Sequence, residues 1–209
     1  ILGSRFVHGS AALHGRFVRE VVEGEVLRHR EAYLRAMLAD EAARRGAARP
    51  PAGNRIQIKS DPGGLKDIHL TLDLLRAKMG LAEAIPRRLF PKLVALDPGH
   101  QEEYFTLLRT LNFLLRLRVL YQLTVGHEST IDPAHMQHAL SALRIRAAGP
   151  SLAAALMERY RVRTGRAAQA AARLMDWIRA EMEGSAAVSD VTPSPPSAIL
   201  GVDSDPVRE

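Results

Sequence analysis

Between Ile56 and Gly80 the chain changes its period, and few folds accommodate the change. The segment reads IQIKSDPGGLKDIHLTLDLLRAKMG. Arg55 to Lys59 alternates polar and apolar residues, with Ile56 and Ile58 on one face, which fits a short extended stretch. Asp61-Pro62-Gly63-Gly64 then breaks the chain. From Leu65 the apolar residues recur at three and four, and Leu65, Ile68, Leu72, Leu75 and Met79 form the core stripe of a helix that Gly80 is placed to end.

Outside this segment helical spacing dominates, alternation by two is almost absent, and aromatic residues are only 5% of the chain. The expectation is an all-α fold, a bundle of about six helices. Ser10 to Glu20 reads as a short helix, Gly24 as a bend, and Glu25 to Arg45 as a long helix. Gly46 to Asn54, with two prolines and two glycines, reads as a linker. Ala84 to Leu96 is helical after Pro86, and Asp97-Pro98 caps the next helix. In that helix, Gln101 to Thr124, the buried face is expected to be Tyr104, Leu107, Leu108, Leu111, Leu114 and Leu115. Asp132-Pro133 repeats the capping signal for a helix to about Arg144. Gly149-Pro150 opens a last long helix to about Glu183, whose Leu156, Tyr160, Ala167, Ala171, Leu174, Ile178 and Met182 keep helical spacing. Residues 1–183 thus read as one helical domain, and the Ser-, Pro- and Asp-rich residues 184–209 as a disordered tail.

Composition narrows the function classes. The chain has no cysteine, so disulfides and cysteine-ligated zinc or iron–sulfur sites are excluded, and a cytoplasmic location is expected. No run approaches the ~20 apolar residues of a membrane span. The net charge is +6 over 209 residues, but residues 184–209 carry −3, which leaves +9 on residues 1–183. A basic body fits an anionic partner, although arginines on helices commonly form a solvated face. His135 and His138 lie three apart on one expected helix, but a surface pair accounts for them better than a metal site, and no metal-ligand set is assigned. Trp177 has helical spacing to Leu174 and Ile178 and reads as core.

Lys59 to Asp67 is the segment with chemistry in it. A Pro-Gly-Gly turn lets backbone approach a neighbour or a ligand closely. The helix that follows points its free N–H groups at the turn, a favourable place for a phosphate, and Lys59 and Lys66 add positive charge on either side. Asp67 lies in the first turn, where a carboxylate is favoured by the positive helix end and is also placed to face a metal. The plainer reading stands beside it: Ser60 or Asp61 caps the helix, Asp67 relieves the dipole, and Gly63 and Gly64 merely turn the chain.

Lys59, Pro62, Gly63, Gly64, Leu65, Lys66, Asp67 and Ile68 resemble the K-x-x-P-G-G-[LI]-[RK]-D-I signature of the [protein-PII] uridylyltransferases. They are also similar to the K-x-x-x-G-G-[IM]-x-D-I-E-F segment of glutamine synthetase adenylyltransferases, but His69-Leu70 stands where that family has Glu-Phe. Leu2 to Ser10, with Arg5 and Gly9, is similar to the L-x-x-R-F-x-x-G segment that follows the uridylyltransferase catalytic domain. Phe113 to Arg118 looks like the family's F-L-x-R-x-R, giving Arg116 and Arg118, and Met157 to Tyr160 resembles its late helix. The resemblance covers about residues 1–180, specifically at 59–68 and loosely elsewhere. LRLRVLYQ and Ile131-Asp132-Pro133 look in addition like the nucleotidyltransferase substrate-binding domains found beside CBS domains.

The resemblance implies a helical domain that closes the cleft of a polymerase-β-like catalytic domain. There a G-S…D-x-D pattern holds Mg²⁺ against a nucleoside triphosphate, and the acceptor is a tyrosine hydroxyl on PII or on glutamine synthetase. The D-x-D in this chain is Asp203-Ser204-Asp205, without a glycine-serine turn, so the chain reads as the substrate-binding half of such an enzyme and is not expected to catalyse transfer by itself. Lys59, Lys66, Arg116 and Arg118 are then candidates for triphosphate or interdomain contacts, Gly63 and Gly64 for close backbone approach, and Asp67 for a catalytic or anchoring role. Two alternatives are a non-catalytic helical module that binds a signalling protein or CBS domains, and a nucleic-acid binder. The few aromatics and the lack of a helix-turn-helix pattern count against nucleic acid.

Overall fold

The computed structural model describes residues 2–46, 55–126, 130–136 and 151–189. Its six α-helices are α1 (Ala11–Phe17), α2 (Arg30–Gly46), α3 (Leu65–Met79), α4 (Pro86–Leu96), α5 (Gln101–Thr124) and α6 (Leu152–Ser189). The all-α expectation holds, and among the described residues the only β pairing is a single antiparallel bridge. In it Ile56 and Ile131 exchange both N–H···O bonds, at 2.9 and 2.8 Å. The alternating segment is thus a one-residue clamp between two loops, with Ile56 and Ile58 both buried.

α3 is the central helix, packed against α2, α4, α5 and α6. Its burial exceeds the expected stripe, because Asp67, Thr71, Leu74, Arg76 and Ala77 are buried together with Leu65, Ile68, Leu72 and Leu75. Arg76 is tolerated there because its guanidinium is satisfied by the carbonyls of Glu83 (2.8 Å) and Ala84 (3.1 Å) and by Asp73 (2.7 Å). Gly80 ends the helix in the left-handed region at φ +64°, and Leu81 N–H reaches the Arg76 carbonyl at 2.8 Å, a Schellman closure.

The expected bend at Gly24 is absent. Residues Val18–Leu27 continue from α1 as a π-helical stretch. A Cβ on Gly24 would lie 3.1 Å from the Arg19 carbonyl oxygen, so the missing side chain accommodates a wider coil instead of a corner. In α5 the register is also corrected: Phe113, Leu117 and Tyr121 are buried with Tyr104, Leu107, Leu111 and Leu114, whereas Leu115 is 41% exposed. Asp97 precedes a short 3₁₀ turn, but its carboxylate accepts from Tyr104 Oη (2.6 Å) and bonds His100 Nδ1 (2.7 Å) instead of capping. Ser151 Oγ caps α6 by accepting from Ala154 N–H at 3.3 Å. Trp177 is half-buried and packs against the core from its edge: its ring lies 4.6 Å from that of His100, and its Nε1 donates to Glu181 at 2.8 Å.

α6 continues through Gly184 to Ser189. The rest of the expected tail, the expected linker beyond Gly46, His138, and the expected helix beyond Met136 lie outside the described residues. Among the described residues no helix is long and apolar enough to cross a membrane.

Candidate functional site

The turn before α3 folds from its own backbone. Gln57 to Asp61 closes through Ser60 N–H and Asp61 N–H to the Gln57 carbonyl at 3.0 and 2.9 Å. The Asp61 carboxylate turns back to accept from Gln57 N–H at 2.9 Å. Asp61 therefore does not cap α3, and the N-cap is Gly64, without a side-chain bond. The amides expected to face a phosphate are already used: Gly64, Leu65 and Lys66 donate to Asp61, Ile58 and Lys59 carbonyls at 2.8, 2.9 and 3.1 Å. The helix start is sealed by the loop that precedes it.

The close approach that the glycines permit is to α6. Gly63 sits at φ +72°, and a Cβ there would lie 1.9 Å from the Thr164 carbonyl oxygen. A Cβ on Gly64 would lie 2.6 Å from the Ile58 carbonyl oxygen and 2.7 Å from that of Asp61. Asp67 holds the turn from the other side. One carboxylate oxygen accepts from Gly63 N–H at 2.8 Å, and the other takes Arg44 Nη2 at 2.5 Å. Arg44 is shared with the buried Glu41, 2.6 Å away, so α2, the turn and α3 meet in one ion cluster. Asp67 is only 7% exposed.

On the α6 side, Tyr160 Oη donates to Asp61 at 2.9 Å. Burial, then the Asp61 charge and the hydrogen bond to it, push the phenol far above its ordinary range, so Tyr160 acts as a fixed donor. Beside this pair opens a cavity of about 250 Å³, walled by Pro62, Met157, Tyr160 and Gly165, with Arg55 and Arg161 contributing positive charge.

Lys59 and Lys66 are both exposed and are joined through Lys66 N–H to the Lys59 carbonyl. Among the described residues no carboxylate pairs with either, and the two lysines flank a turn whose backbone is held by Asp67 and by its own hydrogen bonds. Arg116 and Arg118 are exposed on α5, and no described hydrogen bond or ion pair joins them to the turn. Among the described residues no group of three or more His, Asp or Glu is placed to hold a metal ion. With both Asp67 oxygens engaged, this surface does not fit Mg²⁺.

The sequence reading missed Arg44, Arg55, Arg161 and Gly165, and gave Tyr160 only helical spacing and a place in the late-helix resemblance. Arg44 reaches Asp67 across 23 residues of chain, which no local pattern reveals. A second basic feature was also missed, although its α6 arginines have the spacing of one helix face. Arg159 and Arg163 lie over the Phe113 ring at 5.9 and 5.0 Å, and Arg163 Nη1 reaches the Arg109 carbonyl at 3.5 Å. Burial, then the charges of Arg159, Arg109 and Arg166, push the Arg163 guanidinium down from its ordinary range.

The family model described as GlnD PII-uridylyltransferase matches residues 32–175, more than half of the chain. The match spans most of α2, the turn, α3 to α5 and most of α6. No curated protein and no solved structure matches.

Proposed function

Since the chain belongs to the GlnD PII-uridylyltransferase family, we propose that it is the helical, substrate-side part of a protein nucleotidyltransferase. It works against a nucleotidyltransferase domain that holds Mg²⁺ and UTP, and PII is the acceptor. The observation that carries this reading is the pair Lys59 and Lys66, exposed and, among the described residues, unpaired, on a turn held by Gly63, Gly64 and Asp67. Two ammonium groups on flexible stems rising from an anchored backbone suit a triphosphate, whose charge must be offset before an acceptor hydroxyl can approach the α-phosphorus. In this role Asp67 is a positioning residue: it anchors Arg44 and the Gly63 amide and so sets where the lysines stand. Arg116 and Arg118, exposed on α5, are offered as further interdomain contacts. A cytoplasmic site of action in nitrogen signalling accords with such a reaction.

A second reading has one observation in its favour. Most polar atoms of the Pro-Gly-Gly segment are spent inside the domain, as they would be in a non-catalytic module that binds a signalling protein. The test is to incubate the complete gene product with PII, Mg²⁺ and UTP labelled in the α-phosphate. Label on PII is the expected result. Complex formation without label would favour the binding module, and neither label nor complex would overturn both readings.

A further inference from the structure

α6 carries a glycine that its own packing does not require. Gly165 lies inside the helix Leu152–Ser189, where glycine is less favourable than alanine because it orders more backbone and buries nothing. Such a residue is usually retained because a neighbour stands too close for a Cβ, as Thr164 does for Gly63. At Gly165 a Cβ would meet no atom within 4 Å. Gly165 is exposed and lines the cavity of about 250 Å³ together with Pro62, Met157 and Tyr160.

Two more observations describe what the cavity would take. Arg55 and Arg161 both line it, and among the described residues neither has a carboxylate within ion-pair distance. The acid of the cavity, Asp61, is 8% exposed and engaged by Gln57 N–H and Tyr160 Oη. The sum over these three groups is one positive charge. The remaining wall is mostly apolar.

We propose that this cavity binds a small organic anion, with its charged head between Arg55 and Arg161 and its apolar body against Met157 and the open face at Gly165. Carboxylates and phosphate esters share this chemistry, since guanidinium forks suit either head. The site is independent of Lys59 and Lys66, and binding to it requires no transfer reaction.

The experiment is calorimetric titration of the 209-residue chain with two probes, UMP for the phosphate head and hexanoate for the carboxylate head, repeated with Gly165→Leu and Arg161→Ala. The expected result is saturable binding of at least one probe, weakened roughly tenfold or more by either substitution. The probe that binds more tightly identifies the head. A Cβ at Gly165 meets nothing within 4 Å, so the Tm of Gly165→Leu is expected to equal or exceed that of the parent chain, which separates lost binding from lost fold. Gly165→Ala provides a smaller filling on the same footing. Failure of both probes to bind, or binding that Gly165→Leu leaves unchanged, overturns the proposal. Because the assay involves no turnover, neither result alters the outcome of the labelling experiment with PII.

Discussion

Gly63 rests on Thr164 of α6 and Gly165 is the next residue of that helix, yet substitution should move stability in opposite directions. At Gly63 a Cβ must occupy a left-handed backbone and overlap the Thr164 carbonyl at 1.9 Å. Gly63→Ala is expected to cost about 3–5 kcal/mol, the sum of strain and overpacking, read as a lower urea midpoint. Gly165→Ala is expected to add about 0.5–1 kcal/mol in the same assay, the ordinary helix-interior difference. Loss of stability in both variants would mean that the cavity beside Gly165 is closed in solution. Asp67 belongs to the same scale. Asp67→Asn leaves Arg44 without half of its charge partners, and a fully buried broken pair costs about 3–5 kcal/mol. Because the Arg44 side chain is 20% exposed, we expect about 2–3 kcal/mol, measured as unfolding free energy in urea.

At the scale of elements, α3 was legible to its ends because both boundaries are written locally, as Gly63-Gly64 before Leu65 and Gly80 after Met79. The face of α5 was not. Leucines at 107, 108, 111, 114 and 115 fit more than one stripe, and the choice depends on α3, α4 and α6 closing around the helix, which leaves Leu115 outside and takes Phe113 and Leu117 inside. The junction of α4 and α5 carries a pH response. Burial opposes ionisation of Asp97, but the hydrogen bonds from Tyr104 and His100 outweigh it and hold the carboxyl below its usual range. A carboxylate depressed on folding contributes stability that is complete above its unfolded pKa of about 3.9 and is lost as pH falls through the lower folded value. Unfolding free energy should therefore drop below about pH 4, and Asp97→Asn should flatten that drop in urea titrations at successive pH values. The arginines over Phe113 make the opposite kind of contribution, since they repel one another. Added salt should raise the Tm of the parent chain more than that of Arg163→Gln, because screening relieves a repulsion the variant has already lost.

For the whole molecule, the bundle turns a loop into a fixed platform. α2 supplies Arg44 and Glu41, α3 supplies Asp67, and α6 supplies the Thr164 carbonyl against which Gly63 rests. The sequence showed the loop, its lysines and its helix, because each is a local pattern. It did not show that the helix-start amides are consumed internally or that Tyr160 and Asp61 meet across 99 residues, because those depend on which helices become neighbours. What the platform leaves exposed is Lys59 and Lys66, and the account rests on them. The decisive measurement is the steady-state rate of PII labelling by the complete gene product carrying Lys59→Ala and Lys66→Ala, as a function of UTP concentration. The expected result is a rise in KM for UTP of about tenfold or more, equivalent to about 1.4 kcal/mol, with Tm unchanged because among the described residues neither lysine is paired. An unchanged KM and kcat in the folded double variant would contradict it.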